Sequence, residues 1–337
     1  MEVLVTLLYT LLFIYIIIKS PFFKVEGLSK KLIIVFFIIK IFAGILLSII
    51  YTYHYKDRNL ADVFKYFDDS KVMFDSIYNK PVDYIKMMIG YQNDNPYFDT
   101  YYKQMNNWYR LYESNIYNDS HTIIRFNAFV RLFSFGVYNV HTVFMCFIST
   151  IGLVAIYKTF VPFLISKKKE LIVSIFLLPS VILWGSGVLK EGLLLFGMGM
   201  TIYFSSKILK GKIQVISLVW IVFSVIIMAY IKFYVLISLL PLMFSYLWVE
   251  KTGGKMPFIK YLLVILVIIT IGVNIYLILP QYNLLEILTR KQEDFYGLAQ
   301  SLQSGSMISI PILKPEALCF IKNAPLAENN LFKVPKI

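Results

Sequence analysis

Leu32-Ile33-Ile34-Val35-Phe36-Phe37-Ile38-Ile39-Lys40-Ile41-Phe42-Ala43-Gly44-Ile45-Leu46-Leu47-Ser48-Ile49-Ile50-Tyr51-Thr52-Tyr53 carries a single charge, Lys40, in an otherwise continuous apolar run. A hydrocarbon layer of roughly 30 Å is crossed by about 20 such residues in helix, because only a helix satisfies its own backbone N–H and C=O groups away from water. Seven further runs meet the criterion: Val3–Ile18, Val140–Ile165, Leu171–Gly187, Leu189–Ile208, Ile213–Tyr230, Phe233–Val249 and Pro257–Leu279. The sequence therefore predicts an all-α, polytopic transmembrane bundle of about eight helices. Composition agrees, since 58% of the 337 residues are hydrophobic and only 16% are charged, against about 25% charged in soluble domains. Mean hydropathy is +0.68.

The net charge of +13 would point to nucleic acid in a soluble chain. Here the lysines sit in short connections between apolar runs, where basic residues mark the cytoplasmic face, so no nucleic-acid partner is expected. Alternate connections carry Lys19, Lys24, Lys30 and Lys31; Lys167, Lys168 and Lys169; Lys207, Lys210 and Lys212; and Lys251 and Lys255. That pattern places the N-terminus and the long polar stretch after the second helix on the extracytoplasmic side of a plasma (inner) membrane. Ahead of the first run stands Glu2 rather than a basic segment, and Lys19-Ser20-Pro21-Phe22 lacks the small residues of a cleavage site, so that run is expected to be a retained helix. Four divisions follow: 1–53, the first two helices; 54–139, an extracytoplasmic loop; 140–280, six further helices; and 281–337, an extracytoplasmic tail. For the tail two readings stand, an exterior cap or a chain that stops before more helices.

The loop is too long for a connector and too rich in Tyr, Phe and Trp for disorder. From His54 to His121 it holds eight Lys/Arg and ten Asp/Glu. Short helices lying on the membrane are expected over Asp62–Tyr78 and Thr122–Phe135. In the second, Ile123, Ile124, Phe126, Phe129, Val130 and Phe133 form an apolar face around Arg125 and Arg131, which would reach toward lipid phosphates.

Chemistry-bearing patterns are few. The chain has no P-loop, GxGxxG, HExxH or GxSxG motif, and its three histidines, His54, His121 and His141, are too scattered to predict a metal cage or a Ser/His/Asp triad. Cys146 and Cys319 give neither metal spacing nor a disulfide framework. Above that background stands the acidic run with Asp57, Asp62, Asp68 and Asp69, where Asp62, Tyr66 and Asp69 share one helical face. Such carboxylates serve as base toward a hydroxyl or hold a divalent cation; as solvated charges and helix caps they do neither. Pro179 to Gly192 combines helix breakers with Lys190 and Glu191. An ionisable pair amid apolar sequence is a functional hypothesis, and a plain hairpin turn is its alternative. Lys232 is the basic residue at the outer bend Tyr230–Tyr234, in position to snorkel.

In these features the chain resembles the membrane glycosyltransferases of the C-type fold and related polysaccharide-assembly proteins of bacterial envelopes. The resemblance rests on the acidic exterior loop, with Asp57, Asp62, Asp68 and Asp69, and on the Pro179-Ser180…Trp184-Gly185-Ser186-Gly187…Lys190-Glu191 stretch. In that pattern the acidic loop follows the first helix, whereas here it follows the second. The resemblance implies a polyprenyl-phosphate-linked sugar as donor, a loop carboxylate as catalytic base, and Lys190, Arg125, Arg131 and Lys232 as phosphate ligands. Its alternative is a transporter, flippase or assembly subunit without chemistry of its own. Transporters bury more charge at mid-membrane than the single clear instance here, Lys40.

Overall fold

The structure, a computed structural model, describes residues 1–54, 58–92, 94–109, 118–211, 214–280, 283–301 and 311–331. All regular elements among them are helical. In chain order they are α1 Glu2–Lys19, α2 Lys30–His54, α3 Asp62–Asn79, α4 Pro81–Ile89, α5 Asp99–Tyr102, α6 Ser120–Ser134, α7 Tyr138–Phe160, α8 Lys168–Phe176, α9 Pro179–Trp184, α10 Lys190–Leu209, α11 Val215–Lys251, α12 Pro257–Asn274, α13 Leu284–Ser301 and α14 Ala317–Leu331. Among the described residues six segments are long and apolar enough to cross a membrane: α1, α2, α7 extended to Phe163, α10, α11 and α12 extended to Leu277. The chain is a multi-pass membrane protein in that sense.

One of the eight expected spans differs for a local reason. Leu171–Gly187 is interrupted at Pro179, which has no N–H to give to Ile175, and Leu178 turns extended just before it. The result is two short helices, α8 and α9, of 9 and 6 residues, about 13 and 9 Å long at 1.5 Å per residue and each far short of the hydrocarbon thickness. The runs 213–230 and 233–249 correspond to the two arms of α11, which kinks at Lys232, where the backbone leaves the helical region (φ −148°, ψ 81°).

The described residues divide into two compact units, the first holding residues up to Tyr109 and Asn118–Ser238 and the second starting at Leu239, so that the boundary falls within α11. In the first unit α7 is the central post: most of its side chains are buried, and α1, α2, α8 and α10 pack around it. α7 and α10 meet at Gly152 and Gly199, whose backbones approach so closely that a Cβ on Gly199 would lie 2.7 Å from the Gly152 carbonyl carbon. Small residues at such crossings are how helices associate in lipid, where apolar surface alone gives no driving force. α1 turns Leu4, Leu7, Leu8 and Leu11 outward, a surface suited to lipid and not to water.

Two ends of this bundle differ in chemistry. At one, the 19–31 connection meets the 157–169 connection: Lys168 pairs with Glu26 at 2.7 Å and Lys158 donates to Phe22 O at 2.7 Å. At the other, α3, α4, α5 and α6 fold into a polar cap. Its interior stacks Tyr102 on Trp108 (4.0 Å between ring centroids) and Trp108 on His121 (3.8 Å), and Tyr84 donates its hydroxyl to Ala128 O at 3.2 Å. Val63, Phe64, Tyr66, Ile123 and Ile124 of the cap share one apolar core with Leu47, Met145, Leu189, Leu193 and Ile231 of the spanning helices. The cap is thus seated on the bundle. The predicted helices over 62–78 and 122–135 correspond to α3 and α6. The apolar face expected on α6 is split: Ile123, Ile124 and Val130 point inward and Phe129 and Phe133 outward.

In the second unit, Gly253, Gly254 and Met256 with positive φ precede α12, none of whose residues is buried. Gln292 of α13 clips the extended 311–313 segment, donating to Pro311 O at 3.0 Å and accepting from Leu313 N at 2.8 Å.

Candidate functional site

Where the cap meets the bundle, four elements bring charged side chains together. α3 contributes Asp62, Lys65 and Tyr66; the start of α6 contributes Asp119 and Ser120; the first turn of α10 contributes Lys190 and Glu191; and the break in α11 contributes Lys232. Lys190 Nζ pairs with Asp119 Oδ1 at 2.8 Å, donates to Ser120 Oγ at 3.3 Å, and stands 5.2 Å from the centre of the Tyr66 ring. Lys232 Nζ pairs with Glu191 Oε1 at 2.7 Å. Thr122 donates to Tyr230 O at 3.4 Å, tying α6 to the same turn of α11.

The electrostatics are poised rather than locked. Three acids and three bases neutralise one another, each pair partly open to solvent. Lys190 keeps 14% of its side-chain surface exposed and Asp119 32%. Leu189 at the N-cap of α10 gives no side-chain hydrogen bond to the helix start, so the amide dipoles of that turn add positive potential beside Lys190 and Lys232. An anionic group entering here could take the lysines from their carboxylates. Asp62 is the least engaged acid of the set: 59% exposed and 3.8 Å from Lys65, it lies open to an incoming group. Tyr66 behaves oppositely. Burial first, and then the charges of Asp62, Asp119 and Glu191, outweigh its hydrogen bond to Ser120 and hold its hydroxyl far above the usual phenol range, so it stays a donor.

The other predicted site residues lie elsewhere. Asp57 falls outside the described residues. Asp68 makes a two-pronged pair with Arg58 at 2.7 and 3.1 Å. Asp69, almost fully buried, accepts from the backbone N–H groups of Asn106 and Asn107 at 2.7 and 2.8 Å and so fixes the turn after α5 onto α3. Burial raises its carboxyl above the usual range, against the lowering effect of those hydrogen bonds. Arg131, expected to reach toward lipid, points inward: it donates to Ser70 Oγ at 2.7 Å and Phe67 O at 2.6 Å, with its guanidinium 4.0 Å over the Phe67 ring. Burial brings it down to about 10 despite Asp68 and Asp75. Arg125 donates to Met87 O at 2.8 Å and lies 5.3 Å from the Trp108 ring. The fold therefore gathers Asp62, Lys190 and Lys232 and leaves Asp68, Asp69, Arg125 and Arg131 as ties within the cap. Among the described residues no three His, Cys, Asp or Glu side chains are grouped to hold a metal ion.

Two arrangements escape the sequence. Asp119 and Ser120 meet Lys190 across about 70 positions of chain; the only local hint is the run of good helix-capping residues Asn118-Asp119-Ser120. The second is a hydrogen-bonded Ser134–His141–Asn127 chain. Asn127 Nδ2 donates to Ile123 O, which turns its Oδ1 toward His141 Nδ1 at 2.8 Å; His141 Nε2 then accepts from Ser134 Oγ at 2.8 Å. The polarity matches a nucleophile–base–orienter relay. All three side chains are fully buried, however, so the chain acts as a bolt between α6 and α7. It closes around Phe135 and Gly136, both with positive φ (52° and 76°).

Compared with known proteins, the chain matches no family model, no curated protein and no solved structure.

Proposed function

We propose that this chain is a bacterial plasma-membrane glycosyltransferase, taking its sugar from a polyprenyl-phosphate carrier for envelope polysaccharide or glycolipid assembly, with its polar cap on the extracytoplasmic side. The observation that supports the reading is the shared neighbourhood of buried Tyr66, where exposed Asp62 stands one turn before it, Lys190 lies 5.2 Å from its ring, and the Lys232–Glu191 pair acts on it, where α10 begins. A lipid-borne phosphate diffuses in the membrane plane and arrives at that level. Its oxygens would replace Asp119 on Lys190 and Glu191 on Lys232, charge-assisted contacts that strengthen as the leaving phosphate gains charge. Asp62 takes the proton of the acceptor hydroxyl as its oxygen attacks the anomeric carbon, and the anomeric C–O bond to phosphate breaks. The products are the glycosylated acceptor, the polyprenyl phosphate and a protonated Asp62.

The test uses purified chain with polyprenyl-phosphate sugars. Asp62→Asn and Lys190→Gln are each expected to lose at least about a hundredfold in transfer while inserting normally; full activity in both refutes the assignment. One observation favours a second reading as transporter or flippase: the short helices α8 and α9, interrupted at Pro179, lie beside a charged residue, Lys40, as short or broken helices do in transporters. Lipid movement without any transfer of sugar would support it.

A further inference from the structure

Lys40 sits in the middle of α2, only 2% exposed. Its ammonium donates to Val181 O, in the last turn of α9, at 3.2 Å. Among the described residues no carboxylate forms an ion pair with it. Two glycines shape the surroundings. A Cβ on Gly185 would stand 3.0 Å from Lys40 Nζ, and a Cβ on Gly44, one turn along α2, would stand 2.6 Å from Ser186 O and 2.5 Å from Thr142 Cγ2. Glycine at these points lets α2, α7 and α9 close on a strip of hydrogen-bonding groups. Cys146 Sγ donates to Ser186 O at 3.5 Å, and the Thr142 hydroxyl is buried with no hydrogen-bond partner among the described residues.

A lysine that merely capped α9 would account for the bond to Val181 O. It would not account for an orphaned hydroxyl on the same strip, nor for a lone ammonium kept at the depth where lipid makes it costly. Intramembrane groups of this kind, set against broken helices whose carbonyls face inward, belong to ion pathways. We propose that Lys40 is a proton-binding site inside the bundle and that gain or loss of its proton shifts the position of α9. The protonated amine holds Val181 O; giving one proton to a water molecule reaching the strip leaves a neutral amine and a freer α9, and the reverse step restores both. Of the ionisable groups on the elements packed against α2, Cys146 faces Lys40 from α7; on α7 Tyr138, His141, Tyr157 and Lys158 are engaged at Val63 O, at Ser134 and Asn127, against Phe176 and at Phe22 O, on α1 Tyr9 donates to Phe133 O and Lys19 lies over Tyr15, with Glu2 at its start, and α9 carries none. This inference is independent of sugar transfer.

The experiment takes the full chain in nanodiscs with 15Nζ-labelled lysine from about pH 6 to about pH 10. The expected result is one lysine signal, missing in Lys40→Gln, that titrates separately from the others. Hydrogen exchange at Val181–Ser186 should rise about tenfold beyond the base-catalysed trend across that step in the natural chain. Lys40→Arg, whose charge does not titrate in this range, should stay at the protected level throughout. If the Lys40 signal stays an unchanging ammonium, or exchange in α9 follows one trend in natural chain and Lys40→Arg alike, Lys40 is a helix cap and the proposal is wrong. Should Lys40→Gln fail to fold, the natural chain and Lys40→Arg decide the matter alone.

Discussion

Replacing Gly199 by Ala probes the contact on which the bundle is built. In a helix interior the change from Gly to Ala alone should stabilise by roughly 0.5–1 kcal/mol, because the chain loses less freedom on folding. At Gly199 the new Cβ would meet only backbone: the carbonyl carbon of Gly152 at 2.7 Å and its Cα at 2.8 Å. No side chain can swing aside, so α7 and α10 must separate along their crossing. Overpacking of this kind costs typically about 1–3 kcal/mol, and here the upper half of that range applies because the helices move as bodies. The net expectation is a loss of about 1–2 kcal/mol after the propensity gain. Gly197, on the same helix, is the internal control: its Cβ would meet Met228 Cγ at 2.8 Å, the middle of a flexible side chain. Gly197→Ala should therefore cost less than Gly199→Ala by at least about 1 kcal/mol. Reversible unfolding in mixed detergent, followed by circular dichroism, reads both. Gly199→Ala as stable as the natural chain, or less harmful than Gly197→Ala, refutes the reasoning.

Asp69 supplies a pH signature. Its carboxyl is raised in the folded chain by burial, so the fold binds that proton more tightly than the unfolded chain does; its contribution is fully present below the ordinary carboxylate range and declines as pH rises through the raised value. Stability of Asp69→Asn against pH should lack that decline, and an unchanged profile counts against the assigned environment. Arg131→Met removes two hydrogen bonds and should cost about 1–3 kcal/mol in the same unfolding assay, since Ser70 Oγ still donates to Phe67 O once the guanidinium is gone. Tyr66→Phe should alter stability by about 1 kcal/mol or less, because a phenol that stays protonated contributes one hydrogen bond and no charge.

Periodicity and length were enough to find α1, α2, α7, α10 and α12, and to place helices at α3 and α6, because each is decided by residues close in sequence. α8 and α9 were misjudged as one crossing because hydropathy averages over Pro179, whose missing N–H matters more than the apolarity around it. On α6, spacing grouped Phe129 and Phe133 with Ile123 and Ile124, but the face that turns inward is chosen by α3, which also draws Arg131 onto Ser70 and Phe67. At the site, Lys190 and Asp62 stood out as charges bordering apolar runs. Their company did not, since Asp119 reaches Lys190 only through the cap's fold. The Ser134–His141–Asn127 chain was invisible for a similar reason: its members meet across a turn that reverses through two left-handed residues.

The proposed orientation puts the cap outside and the lysine-rich connections in the cytoplasm. With Cys319 replaced by Ser and Cys146 buried, single cysteines at exposed Tyr97 in the cap and at Glu26 at the opposite end can be offered a membrane-impermeant maleimide on intact cells. The account predicts labelling at position 97 without permeabilisation and at position 26 only after it; labelling at 26 on intact cells, with 97 protected, contradicts it.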